Sequence, residues 1–524
     1  MKNIPHAKTT LYILGALSIA AYFFWLTGGG IHTQFSHDDL MNTYRGWLDP
    51  LPRILKENVC FFLYPTAYRP LGNLFYHVFF NAFGFNPLPY RLFLLAFLLA
   101  NIWLVYAVVR RLSGSREIAA LTALLHGYHM GFTPLYRNTG TCFDIFCFFF
   151  YFCAFLQYIR IRQQGRLLRP LEQLGILGLL VCALNSKEIA VTLPVMIGLY
   201  EMVYHPPREY KPRAIVSWLV RECRVMWWGA LFDLAFIGIK VYGTGGTASV
   251  GAYTPVISLA TYLHGLRHDL DEVFITWGTN VLREPNLVIL LLLLFLFAWR
   301  SRLIHFRFSL LFWLIGVLPV AFIPPRGDYA VYIPLAGFDI CVATLCVQAR
   351  ERLCRLLKRP LLTPGSDLPE LRQILTFALL LLILAYFYTV KGARFSTWQD
   401  VQNQQITEVI RQLQVQVQTP KTGAHILFLK DPFEKAFGAE WATVFLTRLL
   451  YRDNSINADR FWLMPRKPDT EAMKKYDYVF TVEQGTVVLV PPPDMVGTPA
   501  EGHASLGRAH FRHRYLFDRL QNQP

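Results

Sequence analysis

The sequence predicts an α-helical polytopic membrane protein with amphipathic helices on its outer face and a C-terminal soluble α/β domain. Three observations predict it. Of the 524 residues, 54% are hydrophobic and only 16% are charged, too apolar a balance for a soluble chain of this length. The apolar residues gather into repeated runs long enough to cross a bilayer as helices. After residue 390 the runs stop and polar, strand-forming stretches take over. The expected division is a transmembrane module over 1–390, with outer loops at 29–87 and 243–285, followed by an extracytoplasmic α/β domain over 391–524.

The apolar runs lie near 10–28, 88–109, 117–133, 142–159, 171–184, 189–204, 225–242, 286–299, 308–323, 331–348 and 373–390, giving about eleven spans. The first follows Lys2 and Lys8 and has no small-residue cleavage site, so it reads as a retained helix rather than a signal peptide. The runs 171–184 and 189–204 are short, and the break at Asn185-Ser186-Lys187-Glu188 is placed to fall at membrane depth. Cations alternate between the loops. Arg110, Arg111 and Arg116, then Arg160, Arg162, Arg166 and Arg169, and later Arg350, Arg352 and Arg355 mark every second loop, whereas the loops between hold the single cations Arg137, Lys187 and Arg326. The positive-inside rule puts the first terminus in the cytoplasm and the lone cations on the far side.

Two far-side segments are more than connectors. Leu71, Leu74, Phe75, Val78, Phe79 and Ala82 repeat with a helical period, as do Leu259, Tyr262, Leu263, Leu266, Leu270, Val273 and Phe274, and each set fits a helix lying on the membrane. The glycine-rich start of the second loop, 243–247, reads as a flexible hinge. Beyond 390, the pattern gives a polar helix near 401–417, a strand over 424–429, an amphipathic helix over 439–452, a strand over 460–464 and a hairpin turning at Gln484-Gly485. The tail 491–524 reads as irregular with one short basic helix.

A net charge of +16 would suggest a nucleic-acid partner in a soluble chain. Here the cations sit in short loops between spans, where they set orientation, so no nucleic acid is expected. Most of the nine cysteines fall inside apolar runs, which argues against a disulfide framework.

Against this background the stretch Phe35-Ser36-His37-Asp38-Asp39-Leu40 stands out, because adjacent carboxylates just past a span are costly company at a membrane surface. Neighbours in sequence cannot both project the same way. One can face a reaction centre, its charge disfavoured by burial and by its neighbour, as suits a general base, while the other anchors the loop. Without that chemistry the doublet simply caps a helix over 40–47. Arg69, opening an interfacial helix in Tyr68-Arg69-Pro70-Leu71, suits a phosphate or a lipid headgroup. Lys187-Glu188 is an ion pair at membrane depth, functional or self-neutralising. Arg326 with Tyr329 and Tyr332 sits at a span junction, suited either to bind a phosphate or to mark the interface. His264, His268 and Asp271 share one helix face, but nothing completes a metal shell around them. Asp233 and Lys240 read as a packing pair, and His126 and His129 as core histidines.

In order, His37-Asp38-Asp39, Tyr68 to Leu74, Phe83-Gly84-Phe85-Asn86-Pro87, Asn185 to Pro194, and Tyr329 to Gly337 resemble the multispanning type C (GT-C) glycosyltransferases over residues 10–345. The resemblance is nearest the branch holding protein O-mannosyltransferases and the transmembrane proteins with tetratricopeptide repeats, although those repeats are lacking here. It departs from the family around Gly140 to Asp144, where the Gly-Arg-Ala-Asp-type pattern is not reproduced. The resemblance implies a GT-C-like fold in which Asp38 or Asp39 is the catalytic base, with Arg69, Lys187, Glu188 and Arg326 in the donor pocket; Tyr329 and Tyr332 are added to that pocket by the residue reading of the span junction. It implies transfer of a sugar from a polyprenyl-phosphate donor to a hydroxyl of a protein, lipid or glycan acceptor, inverting at the sugar, with no cofactor. Three other activities fit the same spans: a ligase moving a whole lipid-linked glycan, a transporter or flippase, and a non-catalytic envelope scaffold. The chain does not end in an ER-retention signal, so a bacterial inner membrane with a periplasmic site is expected.

Overall fold

The computed structural model describes residues 28–31, 33–60, 69–242, 254–274, 283–324, 327–356, 369–387, 389, 393–434, 439–464 and 470–490, together with 17, 21, 24 and 25. Most of the first apolar run, the glycine-rich stretch 243–247, Arg326, the side chain of Lys240 and the tail 491–524 lie outside the described residues.

The other apolar runs are helical. The longest shows how local chemistry fixes its ends. In Pro87–Ser113 the Asn86 side chain accepts from the Leu88 N–H at 3.2 Å, Pro87 starts the first turn, Arg110 and Arg111 occupy the last, and Gly114 follows at φ 70°. Each device satisfies or complements a helix terminus. Among the described residues, Pro87–Ser113, Thr139–Arg162, Ile304–Ala321 and Tyr329–Leu356 are long and apolar enough to cross a bilayer. Pro170–Leu184, Pro285–Ser301 and Gln373–Tyr386 are shorter apolar helices. The chain is an integral membrane protein, and one contiguous core runs from Phe35 through the helices to Leu384.

The break between Pro170–Leu184 and Leu193–Tyr204 contains a 3-10 turn, Glu188–Thr192. Leu259–Phe274 and Pro70–Phe83 form the two amphipathic helices that the periodicity predicts.

Towards the C-terminus, β1 (His425–Phe428), β2 (Asn457–Arg460), β3 (Tyr478–Glu483) and β4 (Thr486–Leu489) form a sheet of order β2-β1-β3-β4. β1 runs parallel to β2 and β3, and β3-β4 is an antiparallel hairpin. Its turn is made by Gln484 and Gly485, both at positive φ, as a tight hairpin requires. β2 begins earlier than the pattern suggests. Phe461–Leu463 continues it as a 3-10 turn rather than as strand, so the expected strand over 460–464 is displaced. The sheet is covered by Ala393–Gln416 and Ala439–Tyr451, and its core also contains Leu40 and Phe80. The hydrophobic core of the C-terminal segment therefore extends across residue 390 into the first loops.

Candidate active site

The helix His37–Leu48 starts at Ser36, not within the aspartate doublet. The Ser36 hydroxyl accepts from the Asp39 N–H at 3.3 Å, and the Asp39 carboxylate accepts in return from the Ser36 N–H at 2.8 Å, a reciprocal capping box. Asp39 also accepts from the Ser36 hydroxyl at 2.9 Å and from the Tyr76 hydroxyl at 2.6 Å. It is 0% exposed. Burial raises its pKa, against the pull of Arg91 and of its own hydrogen bonds. The capping role that the sequence offered for the pair thus belongs to Asp39.

Asp38 has a different environment. It shares a helix face with Met41 and Asn42, and all three line a cavity of about 750 Å³. No hydrogen bond from the described residues contributes to its ionisation; burial and the adjacent Asp39 push its carboxyl up to about 6. His37 faces away from this work. It is buried edge-on against Phe433, with ring centroids 5.1 Å apart, and desolvation lowers its pKa to about 4, which keeps the ring neutral.

Two ion pairs stand on the cavity wall. Arg69 donates through Nε and Nη2 to the two Glu188 oxygens at 3.2 and 2.7 Å, and its guanidinium lies 5.2 Å from the centre of the Phe143 ring. Arg69 sits at φ 48°, the left-handed region, so the helix Pro70–Phe83 begins from a strained residue whose side chain is held in the cavity. Lys187 donates to Asp144 and lies 5.2 Å from the Tyr329 ring centre. Lys187 and Glu188 are therefore not each other's partners. Lys187 is extended at φ −159° and the 3-10 turn begins at the next residue, so the two side chains diverge.

Asp38, Arg69, Lys187, Glu188 and Tyr329 all reach this one cavity. Tyr332 does not. It is buried in the bundle, stacked on His126 at 4.8 Å and against Phe148 at 4.3 Å. Asp144 and Asn138 join the wall without having been assigned to it by sequence. Asn138 accepts from the Gly140 N–H at 2.8 Å and from the Ser36 hydroxyl at 3.2 Å, tying its turn to the aspartate loop. Asp144 could have been found as an acid within an apolar run, where a carboxylate needs a partner such as Lys187. Ile237, Ile257, Leu318, Val320, Phe322 and Ile323 add apolar lining to the same cavity.

The histidine motifs resolve as local contacts, while the expected Asp233–Lys240 pair falls on a Lys240 side chain outside the described residues. His126 pairs with Asp339 at 2.8 Å, and His129 contacts the Val273 carbonyl at 2.9 Å. On Leu259–Phe274, Asp271 faces Arg267 at 3.5 Å and His268 faces Glu272 at 3.7 Å. Among the described residues, no three His, Cys, Asp or Glu side chains converge as metal ligands.

Fold and cavity together define an integral membrane protein with a charged, half-apolar cavity at the ends of its spanning helices. Residues 65–220 match the family model described as dolichyl-phosphate-mannose-protein mannosyltransferase. That segment holds Arg69, Asp144, Lys187 and Glu188, and stops short of Asp38. No curated protein gives a significant match. Among solved structures, the chain is similar to the crystal structure of ArnT from Cupriavidus metallidurans bound to undecaprenyl phosphate, at 12% identity and a TM-score of 0.45, over 92% of this chain and 98% of that one.

Proposed function

We propose that the protein is a membrane glycosyltransferase that moves a sugar from a polyprenyl-phosphate donor to an acceptor hydroxyl. The observation that carries this reading is the composition of one cavity: an aspartate with a raised pKa, two cations, and apolar lining. The family match over 65–220 supports a polyprenyl-phosphate sugar as the donor class.

In this reading the lipid chain lies along Ile257, Leu318 and Phe322, and the phosphate turns toward Lys187 and Arg69. Asp38 takes the proton of the acceptor hydroxyl as its oxygen attacks the anomeric carbon. The bond from that carbon to the phosphate oxygen breaks, its electron pair leaves with the lipid phosphate, and the two cations hold the added charge. Glu188 and Asp144 keep the cations oriented before substrate arrives, so less reorganisation is needed when charge develops. Asp39 holds the loop and does no chemistry. One base and direct displacement give inversion at the sugar. Arg326 stands as a further expected phosphate ligand from the sequence.

The test is donor turnover by the purified protein in liposomes. Polyprenyl-phosphate mannose and a panel of other polyprenyl-phosphate hexoses and pentoses are supplied with a membrane extract as acceptor source, and release of bare polyprenyl phosphate is followed. At least one donor should be consumed by wild type and not by Asp38→Asn. Consumption of none, or equal consumption by both proteins, would overturn the reading.

A further inference from the structure

The helix Ala439–Tyr451, far along the chain from the spans, docks directly on the helix that carries Asp38. Tyr44 stacks on Phe445 with centroids 4.4 Å apart, and its hydroxyl receives a hydrogen bond from Arg448 at 2.7 Å and donates to Asn454 at 2.6 Å. Arg452 donates to the Phe80 carbonyl at 3.2 Å. One turn before Phe445, on the same face, is Trp441, whose ring lies 5.6 Å from that of Phe445. Phe445 is consumed in packing. Trp441 also packs at the margin of the C-terminal core, yet it is half-buried and lines the cavity with Asp38 and Asn42.

This grouping differs chemically from the rest of the cavity lining. The ion-paired residues suit a phosphate, and the aliphatic residues suit a lipid chain. A flat indole beside a carboxamide and a carboxylate suits neither. It suits a ring with an apolar C–H face and a polar rim of hydroxyls, because the indole covers the first and Asn42 can donate and accept at the second. We propose that Trp441 is the stacking platform for the sugar ring of the donor, supplied to the cavity by the C-terminal segment. The proposal rests on the transferase reading above and assigns to that segment a share in donor recognition. The anomeric carbon would then lie between Asp38 and the cations, as displacement requires.

Binding separates this from a packing role. Farnesyl phosphate and farnesyl-phosphate mannose are titrated against the detergent-solubilised full-length chain, as wild type, Trp441→Phe, Trp441→Leu and Trp441→Ala. Wild type should prefer the sugar-bearing lipid. Leucine keeps apolar bulk but not the flat face, so Trp441→Leu and Trp441→Ala should weaken farnesyl-phosphate mannose roughly five- to tenfold. Both should leave farnesyl phosphate within about twofold of wild type, and Trp441→Phe should retain the preference. Native binding of the sugar lipid by Trp441→Leu would overturn the proposal, as would parallel weakening of both lipids. A wild type that binds the two lipids equally would also overturn it, whereas a wild type that binds neither lipid would count against the transferase reading of the cavity, which distinguishes the two failures.

Discussion

The helix Cys142–Arg162 carries a cluster of buried charges at each end, and the two clusters differ in what they leave open. At one end Arg162 donates to both Glu201 oxygens at 2.7 and 2.8 Å and to Glu222 at 2.7 Å, while the Tyr158 hydroxyl donates to Glu201 at 2.7 Å. Glu201 is 0% exposed. At the other end Asp144 holds Lys187 beside the Arg69–Glu188 pair, and all four side chains reach a cavity of about 750 Å³. The charges are paired in both places. What distinguishes them is space for a ligand and, lining that same space, the carboxylate of Asp38 with no hydrogen bond from the described residues. Buried charge alone marks stability as readily as chemistry.

The sharpest way to break the comparison is to remove one carboxylate of the doublet at a time. Asp38→Asn should cut single-turnover transfer about a hundredfold to ten-thousandfold, the usual worth of a general base, with thermal stability unchanged. Asp39→Asn should do the reverse. Its carboxamide sets an N–H against the Tyr76 or Ser36 donors and should cost about 1–3 kcal/mol of stability, read by thermal unfolding in detergent. Native transfer by Asp38→Asn would leave the doublet with the capping role of Asp39 and no catalytic one.

Arg162→Met tests the other end of the helix. It leaves Glu201 buried without its partner and should destabilise by about 3–5 kcal/mol, with transfer per folded molecule preserved. Lys187→Met is expected to separate from it in kind. Binding of a bare polyprenyl phosphate and the transfer rate should both fall, roughly tenfold to a hundredfold, as for loss of one charge-assisted contact to phosphate. If Lys187→Met instead lowers only the unfolding temperature, the two clusters are equivalent and the cavity is not a phosphate site. The smallest effect is expected at Gly140, where an added Cβ would stand 3.1 Å from Asn138 Oδ1 and 3.6 Å from the Asp38 Cβ. Gly140→Ala should slow transfer only severalfold by nudging the aspartate loop, about 1 kcal/mol in the barrier.

Sequence reasoning reached the parts of this molecule that local patterns encode. Hydropathy found the helices, Arg69-Pro70 marked a helix start, and the doublet pointed to the cavity because two adjacent carboxylates near a membrane need a reason. It could not divide the labour between Asp38 and Asp39. That depends on Tyr76, thirty-seven residues away, and on Asn138 beyond it. It also paired Lys187 with its neighbour Glu188, whereas tertiary structure hands one to Asp144 and the other to Arg69. Asp144 stood out as an acid within an apolar run, but its partner Lys187 lies 43 residues away, beyond the reach of local pattern. Trp441 was hidden by an ordinary amphipathic pattern, since nothing local shows that its helix packs against the first loop.

The most direct measurement is the pH dependence of single-turnover transfer by wild type and by Asp38→Asn, with the donor saturating. A base must be ionised to accept a proton, and burial with the adjacent Asp39 puts the Asp38 carboxyl at about 6. The wild-type rate should therefore climb about tenfold per pH unit below that value and level off above it, and the climbing limb should vanish in Asp38→Asn. A wild-type profile flat from pH 5 to 8, or a limb that survives unchanged in Asp38→Asn, would contradict the assignment of Asp38 as the base.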